Sequence, residues 1–263
     1  MVHYDVTSCL LPDGTRPSGP KSTPAKPSYT TDRFNVFGGQ GTSTYVAGTD
    51  GGASGTGFAD RVANYRNTIF KIFEVGIQGQ FRGTDANGVG ASLQVTVLPG
   101  VKVGGAVTHT NWPQTTQDLV RDLGGNADYT AIGARIDWRI LQLGLVYSHQ
   151  NDGDMVQVPI GSALIPVAFD ANGVELYVRA GVRQFGVIGG FTYLEPDVKD
   201  PLLDPDFKTG YLILGGEWFV ARTAKVYTES KIDLDSVTAT GASGDSVFTI
   251  GFRYDFLWRV SHQ

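Results

Sequence analysis

The sequence contains very little cysteine and little charge, and each shortage excludes a class of protein. Cys9 is the single cysteine among 263 residues, so neither a disulfide framework nor a cysteine-based metal site can form within one chain. Charged residues make up 18% of the chain, and the net charge of −5 excludes the basic footprint that nucleic-acid binding needs. No run of about 18 apolar residues occurs, which excludes a transmembrane helix.

The N-terminal part of the chain differs in composition from the rest. Its start, MVHYDVTSCLLPDGTRP, lacks the basic residues and long apolar core of a signal peptide. Residues 10–30 are rich in Pro, Ser, Thr and Lys, which bury too little apolar surface to offset the entropy of ordering. We therefore interpret residues 1–30 as a disordered or unrelated N-terminal segment. Residues 34–60, dominated by Gly, Ser and Thr, predict a long irregular loop.

From Thr68 onward the sequence alternates between apolar and polar residues over stretches of about ten, which predicts strands. The segment ASLQVTVLP, for example, places Ala91, Leu93 and Val95 on one face and Ser92 and Gln94 on the other. The 35 glycines, about twice the usual share, suit closely paired strands and tight turns. Further strands are predicted at residues 127–138, 139–149, 173–184, 185–194, 209–220 and 222–234.

The connections between these strands are short and long in turn. Tight turns are predicted at Trp138-Arg139 and Ala221-Arg222, and long loops at residues 110–126, 150–172 and 195–208. Outer-membrane barrels segregate short turns to one side and long loops to the other, and their tilted strands need about 9–11 residues to cross the bilayer. The pattern therefore favours a membrane β-barrel over a β-sandwich.

The polar faces of two predicted strands carry clustered charges. Glu175, Arg179 and Arg183 share one face, and a second group on one face comprises Lys225, Glu229, Lys231 and Asp233. Burying such clusters in a dry core would cost several kcal/mol for each unpaired ion, whereas facing a water-filled lumen would cost little. The alternative is a soluble sheet whose charged face lies in water and whose apolar face is packed inward.

Several segments, in order along the chain, resemble the trimeric general diffusion porins of Gram-negative outer membranes. FGG at residues 37–39 and ANYRN at 63–67 are similar to the two ends of the loop that folds into the porin channel and narrows it. Segments similar to later porin strands are GLVYSHQN at 144–151, GGEWFVARTAKVYTESKIDL at 215–234 and SVFTIGFRYDF at 246–256. The likeness covers about residues 31–256.

This resemblance implies an all-β fold, a transmembrane antiparallel up-and-down β-barrel. About 11 of 16 porin strands are evident, with the N-terminal strands missing, so the chain resembles a truncated form or fragment. Residues 31–67 correspond to the constriction loop, 68–256 to barrel strands and 257–263 to a C-terminal tail. The pattern at the end of the last strand resembles the assembly signal of these barrels, here Phe252, Tyr254 and Phe256.

The resemblance also implies which residues shape the channel. In the constriction-loop segment they are Phe37, Gly38, Gly39, Asp50, Asp60 and Arg66. Val36 and Gln40 stand where similar porins carry acids, which leaves Asp50 and Asp60 as the nearest acidic residues. Basic residues opposite the apolar stripe of their strands are predicted to line the pore, namely Arg135, Arg179, Arg183, Lys225, Lys231 and Arg253.

The predicted function is a porin of the bacterial outer membrane, a water-filled channel for passive diffusion of small hydrophilic solutes and ions. Its partners would be the lipid bilayer, the barrel-assembly machinery and two further copies in a homotrimer, with no nucleic acid and no cofactor. His109 and His149 lie near hydroxyls and carboxylates, but such groups are common in any loop, so an enzyme is not predicted. The alternative is a non-channel β protein, a soluble binding barrel or a surface adhesin that binds through its long loops.

Overall fold

The computed structural model describes residues 62–81, 87–221 and 224–254. These residues form one antiparallel sheet in which each strand pairs with the next along the chain. The one helix of the described ranges is the short α1 (Gln114–Gln117), and none there is long and apolar enough to cross a membrane. The strands are β1 (Val62–Ile69), β2 (Phe73–Phe81), β3 (Asn87–Leu98), β4 (Val101–Asn111), β5 (Asn126–Trp138), β6 (Leu141–Ile160), β7 (Ala163–Val182), β8 (Phe185–Asp197), β9 (Thr209–Ala221), β10 (Ala224–Asp233) and β11 (Val247–Tyr254).

The topology confirms the predicted all-β, up-and-down antiparallel fold. Eleven strands lie in sequence order, and β1 and β11 are the edge strands of the described sheet. Tight turns join β3 to β4 and β5 to β6 on one side of the sheet, where Gly100 and Arg139 have positive φ angles of 81° and 45°. The longer connections, residues 112–125, 198–208 and 234–246, lie on the other side.

The predicted long loop at residues 150–172 is wrong. Strands β6 and β7 are each 20 residues long and form one extended hairpin that turns at Gly161. The pairing is interrupted once, by a register shift between Gln150 and Asp154, and then continues to Ile160. The Asn, Asp and Gly residues at 151–153 read as a loop, yet they occupy this irregularity, and pairing resumes with VQVPI beyond them.

Two strand boundaries also differ from the prediction. Strand β1 begins at Val62, before the expected start at residue 68, so the whole ANYRN segment lies in a strand paired with β2. Arg183, expected within a strand, lies in the turn after β7 with a φ angle of 55°.

The sheet has an inverted pattern of burial, in which the apolar face is the exposed one. In β11 the exposed fractions of Phe248, Ile250 and Phe252 are 64%, 68% and 65%. Charged residues of the opposite face are buried instead, such as Glu217 and Lys225 at 4% and 6%. A protein folded in water would bury the first set and expose the second. The exposed stripes of apolar side chains therefore predict a lipid-facing surface.

The largest packed cluster lies on the polar side of the sheet, at the end with the long connections. Its strand members include Leu194, Val167 and Phe169, which are 1%, 0% and 3% exposed. Leu203 and Phe207 from the connection after β8, and Ala239 from the connection after β10, pack on them. The edge-to-face contact between the rings of Phe169 and Phe207, 5.4 Å apart, joins strand to loop. These loops therefore fold back onto the inner side.

Two glycines with positive φ provide a matched test of this turn geometry. A Cβ on Gly100 would lie 2.3 Å from the carbonyl oxygen of Asp137, whereas one on Gly161, at φ 62°, would meet nothing within 4 Å. Gly161→Ala should cost about 1–2 kcal/mol through backbone strain alone, and Gly100→Ala about 2–4 kcal/mol because a clash is added. Urea unfolding of the refolded protein in lipid measures both. Equal losses for the two variants would contradict the described turn.

Candidate pore wall and its mouth

The polar face, here named the inner face, is continuous across the sheet because directly paired residues point to the same side. Lys102 pairs with Arg135, Gln142 with Arg179, and Lys225 with Arg253. Side chains of one strand alternate between faces, so each such pair continues one row of inner-face residues. The predicted pore-lining residues on this face are Arg135, Arg179, Lys225, Lys231 and Arg253.

Among the charged inner-face strand residues whose side chains the structure describes, six are acids and six are bases. The sequence pattern places Glu175, Glu229 and Asp233 on this face, but the predicted pore-lining set contains bases alone. By register, the bases are Lys102, Arg135, Arg179, Lys225, Lys231 and Arg253, and the acids are Glu74, Asp137, Glu175, Glu217, Glu229 and Asp233. The described part of the inner face is therefore charge-balanced and does not present a basic surface.

Glu217 is the centre of the most buried charge cluster on this wall. Arg179 donates from Nε to its Oε2 over 2.7 Å, and the Lys225 ammonium donates to its Oε1. The Glu217 side chain is 1% exposed, and those of Arg179 and Lys225 are 15% and 8% exposed. Both cations also lie within 6 Å of the Phe219 ring, at 5.5 and 5.9 Å from its centroid. One carboxylate of β9 thus holds two cations, one from the adjacent strand β10 and one from β7, two strands away.

A glycine makes room for this cluster. Gly186 pairs directly with Glu217, and a Cβ there would lie 3.3 Å from the Glu217 Oε2 and 3.4 Å from the Arg179 guanidinium. A side chain at this position would push against the ion pair. Because Gly186 has no side chain, the side chains of Glu217, Arg179 and Lys225 can approach each other above its backbone.

The other inner-face bases also have close partners. Arg135 contacts Asp137 at 2.7 Å, and Lys102 lies 3.9 Å from Glu74. The Lys231 ammonium sits 3.4 Å from the centroid of the Tyr211 ring. These contacts orient the cations along the wall while leaving some of them in contact with water, as the 41% exposure of the Lys102 side chain shows.

The constriction-loop residues cannot be placed in the same way. Phe37, Gly38, Gly39, Asp50 and Asp60 lie outside the described residues. The backbone of Arg66 lies in β1 opposite Gly76. Arg183 lies in the exposed turn between β7 and β8, at the rim of the sheet and not on its wall.

Two of the three residues of the predicted assembly signal lie on the outer face of β11. Phe252 and Tyr254 are 65% and 56% exposed there, and they share that face with Phe248 and Ile250. Phe256 lies outside the described residues. Their place on the apolar face is the one that the alternating pattern predicts.

The acids of the wall could have been found from hairpin register. Glu217 and Lys225 lie on opposite sides of a tight turn, and Asp137 lies two residues from Arg135 on the same strand face. The contact of Glu217 with Arg179 joins residues 38 positions apart and has no local signal.

A small cavity of about 380 Å³ lies where the inner face meets the long connections. Its wall includes Phe207, Tyr211, Lys231 and Ser236. Ser236 is committed to the backbone, because its hydroxyl accepts from the Gly210 N–H at 2.9 Å and donates to the Gly210 carbonyl at 3.1 Å. This cavity therefore lies at the end of the inner face onto which the long connections fold.

The histidines do not form a catalytic arrangement in the described strands. The Nδ1 atom of His109 lies 2.7 Å from Asp128, and that of His149 lies 2.9 Å from Asn172, both on the outer face. Ser148, the neighbour of His149, points to the opposite face, as successive strand residues do. Within residues 62–81, 87–221 and 224–254, no group of three or more His, Cys, Asp or Glu side chains could hold a metal ion.

Solved porin structures share this arrangement of strands. Salmonella typhi OmpF, in complex with daunomycin, matches at a TM-score of 0.64 and 19% identity over 82% of this chain and 72% of that chain. A porin refined at 1.8 Å resolution matches at a TM-score of 0.56 and 16% identity, over 75% of this chain and 63% of that chain. The anion-selective porin from Comamonas acidovorans matches at a TM-score of 0.56 and 15% identity, over 80% of this chain and 66% of that chain.

These matches establish a likeness of fold. The chain spans 63% and 66% of the length of two of these porins, which is less than two thirds, and 72% of the third. No family model and no curated protein matches the sequence. Strand order, register, the inverted burial and the structural matches agree, and the chain has a general-diffusion-porin-like fold.

Proposed function

We propose that the protein is an outer-membrane porin that lets small hydrophilic solutes and ions diffuse passively through a water-filled lumen. The observation that carries this proposal is the inverted sheet, with exposed apolar stripes outside and buried or half-buried charges inside. A barrel in a membrane accommodates both faces, because it exposes an apolar band to lipid and keeps a polar interior. The assembly would be a homotrimer, inserted by the barrel-assembly machinery.

Water in the lumen is supported by polar atoms on the inner face. Both amide atoms of Gln150 and the Oε1 atom of Glu175 are buried without a hydrogen-bond partner in the described protein. Leaving such atoms unpaired costs about 1–3 kcal/mol each, so they need enclosed water molecules as partners. Water bound beside a polar inner face supplies these partners without any further side chain.

The charge-balanced wall supports a general channel with weak preference for either sign of ion. Selectivity in channels arises from rings of charge of one sign and from constriction. Here each described cluster combines a base with an acid, as Glu217 does with Arg179 and Lys225. Solutes would be sorted mainly by size.

Channel activity is tested by inserting the refolded full chain into planar bilayers. Discrete current steps in KCl are the expected result, because a continuous polar lumen conducts ions. A protein that is monodisperse in detergent-free buffer and produces no steps would instead support the alternative, a soluble binding barrel or a surface protein that binds through its long loops.

The ion preference of the channel should depend on the acids of the wall. Glu217→Gln leaves two cations uncompensated, so the ratio of anion to cation permeability should rise about two- to fivefold, as about 0.5–1 kcal/mol of water-screened attraction implies. Reversal potentials in a KCl gradient measure this ratio.

Two further variants make that measurement specific. Asp137→Asn removes the same charge from a more exposed pair, in which the Asp137 side chain is 35% exposed, and it should shift the ratio in the same direction. It therefore provides the test even where loss of the buried Glu217 charge impairs folding. Asp128→Asn removes a charge from the outer face and is the matched control. A shift for Asp128→Asn as large as for the two wall variants would refute the assignment of faces.

A further inference from the structure

The extended hairpin and two loops form a layer on the inner side of the sheet, here named the roof. It comprises residues 151–170 of the hairpin and the connections 198–208 and 234–246. The loops pair with each other, since Lys208 and Val237 exchange two backbone hydrogen bonds of 3.0 Å and the Asp204 N–H donates to the Ala239 carbonyl over 2.9 Å. Leu194, an inner-face residue, is buried beneath them. The roof therefore packs on the inner face at the end of the sheet that carries the long connections.

A third connection, residues 112–125, crosses to the far edge of the hairpin and is here named the strap. The Arg121 N–H donates to the Pro166 carbonyl over 3.0 Å, and the Ala168 N–H donates to the Arg121 carbonyl over 2.9 Å. These two bonds make a parallel bridge at Val167, on the stretch of β7 that extends beyond its pairing with β8. The strap thus ties the β4–β5 connection to the roof.

An ion pair also joins the strap to the roof. The Arg121 Nε donates to the Asp200 Oδ2 over 2.7 Å, and the Leu202 N–H donates to the other carboxylate oxygen, also over 2.7 Å. The Asp200 side chain is 1% exposed, whereas Arg121 is 50% exposed. Burial opposes ionisation of Asp200, but the hydrogen bonds from Arg121 and Leu202 outweigh it, so the pKa of this carboxyl lies below its ordinary value.

We propose that the Arg121–Asp200 ion pair holds the roof over the mouth of the lumen and thereby sets the upper size of the solutes that enter. This inference rests on the proposed channel function and assigns a size-determining role to two residues outside the wall. Loss of the pair leaves the strap attached to the roof by two backbone hydrogen bonds at Val167 and by the Gly124 N–H, which donates to the Asp152 carboxylate over 2.9 Å. Leu203, Phe207 and Ala239 stay packed on the strands, so the opening is local and separates the strap from the connection 198–208. A gap there admits larger solutes.

The experiment compares solute entry into proteoliposomes that contain the full-length protein. Swelling rates are measured with a graded series of uncharged sugars and short polyethylene glycols. Arg121→Gln, Asp200→Asn and the double variant should each admit solutes larger than the wild-type limit, with entry of the first excluded solute raised several-fold. The smallest sugars should enter at rates close to wild type, because the wall is unchanged.

The double variant distinguishes this positioning role from a general loss of stability. It removes both charges, so no unpaired buried charge remains, and it should fold best of the three. Its size limit should equal that of either single variant, since all three break the same contact. Lys199→Gln is the control, because Lys199 is a 58% exposed partner of Asp170 at the same roof.

The outcomes separate this inference from the proposed function. Wild-type protein that admits no solute at all contradicts the channel itself. Wild-type protein that admits small sugars, together with a folded double variant whose size limit is unchanged, overturns the role of the ion pair. A limit raised equally by Lys199→Gln overturns it as well, because any loss of charge at the roof would then have the same effect.

Discussion

The structure depends on one constraint, that each strand carries an apolar face and a polar face that need different surroundings, which the proposed function assigns to lipid and water. Successive strand residues point to opposite faces, so a two-residue alternation suffices to meet it. The consequence is visible in β11, where Phe248, Ile250 and Phe252 are exposed while the residues between them face inward. Hydrogen bonds between neighbouring strands satisfy the backbone, as a chain in hydrocarbon requires. Turns, charge pairs and loops are then arranged around this division.

The inner face shows how charges are kept in a confined space. A buried carboxylate is costly unless paired, and Glu217 meets this need by accepting from two cations of different strands. The small residue Gly186 provides the space for that contact. Arg135 and Lys102 are likewise paired with acids, Asp137 and Glu74. The inner face is therefore polar and its cations have fixed orientations, yet its described charges balance.

Most of the sheet could be predicted from sequence because its determinants are local. Alternation marks strands and faces, and it placed Arg179 and Lys225 on the inner face, as observed. The hairpin of β6 and β7 could not be predicted, because Asn151, Asp152 and Gly153 have loop composition and only tertiary pairing shows that the strands continue. The contact of Arg121 with Asp200 joins residues 79 positions apart and leaves no sequence pattern.

The division of faces is tested most directly by thiol accessibility along β11 in lipid vesicles. Single cysteines at Phe248, Thr249, Ile250, Phe252 and Arg253, introduced with Cys9→Ser, are exposed to a membrane-impermeant maleimide. Labelling is predicted at Thr249 and Arg253 and protection at Phe248, Ile250 and Phe252, because the first pair faces water and the other three face lipid. Uniform labelling of all five positions, or labelling of the apolar set alone, would contradict the account.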